Sequence, residues 1–151
     1  MLFMADHMAR KLGKYLRILG YDAAWLPDMR THDLIRRANA ENRIFLTRNR
    51  HILGQCPKPE RMILLASPDP AEQLKEVILV LGLDVRGALF TRCVACNVPL
   101  EEAPDKKAVA GRVHPNVFAR YDTFYSCPSC GAVFWRGSHT RNTMKKLGLE
   151  P

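Results

Sequence analysis

Four cysteines in two Cys-x-x-Cys turns, Cys93 and Cys96 in "CVAC" and Cys127 and Cys130 in "CPSC", carry the most specific chemistry in this chain. A turn of that length lets two thiolates converge on one ion. Two such turns complete the tetrahedral sulfur shell that Zn²⁺ prefers. Two disulfides or a redox pair are the other readings; a reducing compartment disfavours the first, and a redox pair needs no second copy. The spacing therefore points to a structural zinc, with the 30 residues between the pairs expected to be absorbed by a ribbon of hairpins. Four thiolates leave no vacancy for His114 or His139. Cys56, alone in "LGQCPKPE", is expected as an unpaired, partly buried thiol.

A second set of residues depends on folding to meet. "LFMAD" is a short apolar run that ends in Asp6, and "RIFLTRN" is another that ends in Thr47, Arg48 and Asn49. Asp33 sits in the first turn of the helix expected over "THDLIRRANAEN". Clustered carboxylates repel one another unless a divalent cation neutralises them, and oxygen donors suit Mg²⁺ or Mn²⁺. Each residue also has an ordinary reading: Asp33 as a helix cap, Asp6 as a loop hydrogen-bond partner, Asn49 as a turn former. Convergence on one edge is what favours the functional reading.

Strands alternating with helices would bring that convergence about. "HMARKLGKYLRILG" places Met8, Leu12, Tyr15, Leu16 and Leu19 at helical spacing, with Gly20 as the expected C-terminal cap. "YDAAWLP" reads as a second strand. Thr31 or Asp33 is available to cap the second helix, whose inward face is Leu34, Ile35 and Ala38. "RMILLAS" follows as a fourth strand, and "PAEQLKEVILVLGL" as a helix with Pro70 near its start and Gly82 near its end. Such alternation implies a mainly parallel sheet. Ligands bind at the carboxyl edge of such a sheet, where Asp6, Asp33 and Asn49 are expected.

Composition narrows the partner. The net charge is +8, with 14 Lys and Arg against 10 acids up to residue 90 and 9 against 5 after it, so the positive field covers both halves. That balance favours a polyanion such as nucleic acid. No run of about 18 apolar residues and no signal-peptide pattern is present, so the expectation is a soluble, cytoplasmic protein with no membrane partner.

"FMADHMARKLGKYLRILGYD", "THDLIRRA" and "RIFLTRN", followed by the paired CxxC turns and "CPSCGAVFWRGSH", resemble the Mut-seven C-terminal RNase domain family, a branch of the PIN-like nucleases. The resemblance runs from Phe3 to His139. It implies an α/β fold: a PIN-like, mainly parallel sheet flanked by helices over residues 1–90, then a small C-terminal zinc-ribbon module with a tail over 91–151. It also implies a divalent-metal-dependent ribonuclease, with RNA as partner and Mg²⁺ or Mn²⁺ as catalytic cofactor beside the structural zinc. Asp6 matches the family's first-strand acid and Asp33 its acid at the second helix. At Asn49 the family pattern has Asp. A neutral amide there removes one charge from the site and lowers divalent-ion affinity, which leaves open an alternative: a PIN-like RNA-binding or assembly module whose catalysis is impaired. Ala9 and Arg10 stand where the family tends to have Leu and Gly. Asp22, the Asp of "GYD", begins a strand and is read as structural. Arg10, Lys14 and Arg17 on one helix face, with Arg48 and Arg50, are expected to track an RNA backbone, and Trp135 and Arg136 to add stacking and phosphate contacts from the ribbon.

Overall fold

Alternating apolar strands and amphipathic helices set the layers. In the computed structural model, which describes residues 1–150, β1 (Leu2–Ala5), β2 (Asp22–Ala24), β3 (Ile44–Thr47) and β4 (Met62–Leu64) form one parallel sheet in the order β2-β1-β3-β4. Side chains alternate across it. Phe3, Ala5, Ile44 and Leu46 face a core shared with Leu12, Leu16, Leu74 and Val77, contributed by α1 (Arg10–Ile18) and α3 (Pro70–Leu81). Met4 and Phe45 face the opposite way, onto Leu34, Ile35 and Ala38 of α2 (Thr31–Ala40). Helices on both faces explain why the interior strands are apolar at nearly every position. No helix is long and apolar enough to cross a membrane, among the described residues.

The helix ends follow local rules with two departures. Asp69 caps α3 by accepting from the Ala71 and Glu72 amides, Pro70 opens the helix and Gly82 closes it with φ +61°. Gly20 has φ +92°, and a Cβ there would lie 2.2 Å from the Ala88 carbonyl oxygen, so this turn requires glycine. Met8, expected on the inward stripe, is 58% exposed: residues His7–Ala9 form a tighter 3₁₀ turn, which throws position 8 out of register with Leu12 and Leu16. Neither Thr31 nor Asp33 caps α2, which starts after an extended Arg30. Asp33 instead pairs with Arg36 at 3.0 Å.

After residue 90 the chain builds a second, antiparallel sheet from β5 (Glu101–Glu102), β6 (Tyr125–Ser126) and β7 (Val133–Phe134). The spacer between the cysteine pairs contains the antiparallel pair β5–β6, but a long connection separates the two strands. A 3₁₀ turn capped by Asp105 and the short helix α4 (Pro115–Arg120), capped by His114, make up that connection. They pack through Phe118, which stacks on Phe124 at 6.5 Å. The C-terminal stretch is helical as α5 (Ser138–Lys146), and it returns Leu147, 2% exposed, to the core beneath α1 and α3.

Arg17 holds the two sheets together. Expected on a nucleic-acid face, it is 4% exposed. Its Nε donates to the Ala23 carbonyl at 2.7 Å, and its Nη1 donates to the carbonyls of Val94 and Ala95 at 2.7 and 3.0 Å. The guanidinium lies 3.8 Å from the Trp25 ring centroid, and burial pulls its pKa down to about 10. Asn97 completes the seat: its Nδ2 donates to Asp22 at 2.7 Å and its Oδ1 accepts from the Ala23 amide at 3.1 Å. Arg43 donates to the same Asp22 oxygen at 2.6 Å. β2 is an edge strand, so these bonds satisfy backbone that would otherwise be an open ladder.

Arg17→Met keeps the stem and strands three carbonyls. It is expected to cost about 3 kcal/mol and lower Tm by roughly 6–12 °C; an unchanged melting curve would show that the seat contributes nothing. The seat also weakens in acid. Burial pushes the Asp22 carboxyl up, but hydrogen bonds from Arg43 and Asn97 outweigh it and hold the group below its usual 3.8. The stability from Asp22 is thus complete above that value and lost as pH falls through the lowered one.

Candidate functional site

The strand order reverses between β1 and β3, so the crevice of this sheet opens where those two strands end. Asp6 follows β1 there, and its amide donates to the Leu46 carbonyl at 3.0 Å, which locks it beside β3. The side chain is 4% exposed. Its Oδ1 accepts from the His7 amide at 2.8 Å and its Oδ2 from the Thr47 hydroxyl at 2.7 Å. Thr47, fully buried, accepts in turn from the Asn49 amide at 3.0 Å. Asn49 Oδ1 accepts from the His51 amide at 3.0 Å and caps a 3₁₀ turn over Arg50–Gly54. One hydroxyl therefore ties the end of β3 to the carboxylate at the end of β1.

Asp6, His7, Asn49 and His51 line an open cavity of about 550 Å³, together with Thr31, Arg48 and Arg50, and Thr47 lies buried behind them. Arg48 Nε is buried without an acceptor. Among the described residues no carboxylate lies within 4.0 Å of a nitrogen of Arg48 or Arg50, although six other ion pairs form. The site thus presents one fixed carboxylate beside two cations that the protein itself leaves unneutralised. That is an arrangement suited to a phosphate group.

Asp33 does not join Asp6 and Asn49. It lines a neighbouring hollow of about 480 Å³ with residues 26–30, and its carboxylate is 49% exposed against Arg36. Among the described residues the four cysteines form the sole group of three or more His, Cys, Asp or Glu positioned to share a metal ion. The crevice offers an Asp6 carboxylate with lone pairs beyond its two hydrogen bonds, an amide carbonyl at Asn49, and the Thr31 hydroxyl. These are hard oxygen donors of the kind Mg²⁺ and Mn²⁺ take, but they carry one formal charge. Of the remaining cations, Arg10 and Lys14 are exposed on α1, with Arg10 5.8 Å from the Trp25 ring centroid. Trp135 is half-buried between Tyr121 and Phe124, and Arg136 is exposed.

The sequence marks Thr47 as the end of a strand and Thr31 as a helix cap, but neither they nor His7 as site residues, and Thr47 had a legible signal. It shares the β3 face of buried Phe45, so a polar residue stood where the alternation called for an apolar one.

The cysteine cluster is built from two turns of the same geometry. Cys96 and Cys130 amides donate to the Cys93 and Cys127 sulfurs, both at 3.5 Å. Residues Asn97 and Gly131 follow with φ +61° and +74°, and their amides bond the Cys93 and Cys127 carbonyls at 2.9 Å. All four sulfurs lie within 4.8 Å of one another, and Cys93 and Cys130 are 4.0 Å apart. Tetrahedral zinc at 2.3 Å per sulfur needs about 3.8 Å between sulfurs, so the four thiols fit that ion. The Cys130 amide holds the Cys127 thiol down to about 7, while burial pushes the Cys93 thiol up. Cys56 is exposed rather than partly buried, on the surface turn after residue 54.

A family sequence model described as the Mut7-C RNAse domain matches residues 1–147. No curated protein and no solved structure matches the chain.

Proposed function

The chain belongs to the Mut7-C RNAse domain family, and we propose on that basis that it hydrolyses RNA phosphodiester bonds with a divalent metal ion at the crevice between β1 and β3. The observation that supports this reading is the chain of bonds from Asn49 through Thr47 to Asp6, set beside the unpaired guanidiniums of Arg48 and Arg50. Residues 1–90 then act as the nuclease domain, and 91–151 as the zinc ribbon and tail.

Asp6 would hold Mg²⁺ or Mn²⁺, with the Asn49 carbonyl as a neutral second donor. When bound, such an ion polarises a phosphoryl oxygen and makes water a stronger acid. The rest belongs to the protein. Arg48 and Arg50 hold the phosphate and offset its charge. Thr47 fixes the rotamer of Asp6, so that its remaining lone pairs face the cavity. The second reading, an RNA-binding module with impaired turnover, is favoured by the single carboxylate lining this cavity and by the commitment of Asp33 to Arg36.

Asn49→Asp separates the two. One added charge about 4 Å from a cation contributes about 1 kcal/mol or more, which corresponds to Mn²⁺ affinity at least about fivefold tighter. Cleavage of labelled single-stranded RNA in Mn²⁺ is expected from the wild type and faster from the variant. No cleavage by either protein would discard hydrolysis, and unchanged Mn²⁺ affinity would remove Asn49 from the metal shell.

A further inference from the structure

A second basic region lies away from the crevice. Three adjoining cavities, of about 430, 60 and 430 Å³, form a seam that runs from the segment after α3 and α5 onto the second sheet, and all three are bordered by the exposed Arg136. Arg86 and Arg141 flank the first cavity and Arg120 the last. Phe90 lines the first two and Tyr125 the last two. None of the four arginines has a carboxylate oxygen within 4.0 Å among the described residues. Glu150 borders the first cavity as its one acid, and Asp122 the last, where Lys106 pairs with it at 3.3 Å.

Cations in file, interleaved with half-buried rings, form the pattern that tracks a flexible phosphate backbone and stacks its bases. A duplex presents no free base faces to such rings. We infer that this seam is a second RNA-binding groove that holds an unpaired segment of the substrate, in addition to the crevice; the inference rests on the reading of RNA as substrate. Its place in the fold defines what it does. The Phe90 amide bonds the Ile18 carbonyl at 2.8 Å, at the far end of α1 from Asp6, so the groove lies toward the amino edge of the sheet and the crevice at the carboxyl edge. RNA long enough to reach both edges engages the groove, and a trinucleotide in the crevice does not. The groove therefore selects for length and for unpaired structure and takes no part in the chemistry.

The test uses the full chain with Arg86→Gln, Arg136→Gln and Arg141→Gln combined, all at exposed positions. Binding of a fluorescent oligouridylate is read by anisotropy without added divalent ion, and cleavage of a trinucleotide is read separately in Mn²⁺. The expected result is binding weaker by about tenfold or more at low salt. The slope of log affinity against log salt should be shallower by about 2, at about 0.7 per lost phosphate contact. Trinucleotide cleavage is expected to be unchanged. Oligouridylate binding equal to wild type overturns the groove, as does a wild type that binds no oligouridylate. An equal loss for duplex RNA would reduce the seam to a diffuse charge and overturn the selection for unpaired strands. A wild type that cleaves nothing, with binding still lost in the triple variant, would discard hydrolysis and leave the groove standing.

Discussion

Asp6→Asn is expected to abolish Mn²⁺-dependent RNA cleavage, by about 10³-fold or more, while leaving the fold and RNA binding near wild type. The size follows from what a metal-held phosphoryl group gains in the transition state, several kcal/mol, which the neutral amide gives up by failing to hold the ion. The fold survives because an amide oxygen can still accept from either the Thr47 hydroxyl or the His7 amide, the two donors that now bond Asp6 at 2.7 and 2.8 Å. Thr47→Val provides a graded companion. It removes the donor to Oδ2 and the acceptor of the Asn49 amide together, so it loosens both ends of the crevice without touching a charge. Cleavage is expected to fall by less than in Asp6→Asn. Equal cleavage by wild type and Asp6→Asn would place the activity outside the crevice, whatever RNA the protein binds.

The crevice was legible in outline because its position depends on chain order. Apolar runs ending in Asp6 and Thr47, with helical spacing between them, suffice to place those termini on one edge of a parallel sheet. Side-chain direction was not legible. Asp33 stands in the expected turn of the expected helix, yet it lines a neighbouring hollow and pairs with Arg36, three residues on. Arg17 shows the same limit from the other side. Spacing puts it on one helix face with Arg10 and Lys14, but no local pattern tells that Val94 and Ala95, 77 and 78 residues away, present their carbonyls to that face. The spacer between the cysteine pairs is a different case. Its signals were present, with Pro115 at a helix start and Asp105 and His114 as caps, but the run from 115 to 120 is too short for periodicity to mark it.

Cys93→Ser is expected to abolish zinc binding at the cysteine cluster and undock the ribbon, because an ion held there would be the largest single contributor to the second sheet. Structural zinc sites of this ligand class are worth about 10–16 kcal/mol in isolated peptides at neutral pH. β5, β6 and β7, at two residues each, hold too little backbone pairing to replace that. Cys93 is also the ligand nearest the seat: Val94 and Ala95, which follow it, accept from Arg17, and Asn97 bonds β2. Release of that turn therefore opens the β2 edge as well as the metal site. The expected signs are zinc falling from one per chain to near zero, a loss of the high-temperature part of the melting curve, and protease cleavage between residues 91 and 100. Substitution is a better probe than chelation, because a chelator also removes any ion at Asp6. Cys56→Ser, exposed and outside the cluster, is the matched control and should keep its zinc. Acid should mimic the loss. All four thiols must shed protons to bind, so zinc retention is expected to fall as pH falls. One zinc per chain and an unchanged melting curve in Cys93→Ser would show that the four sulfurs do not form one site, and the docking of the ribbon would then rest on Arg17, Asn97 and the burial of Leu147 without a metal.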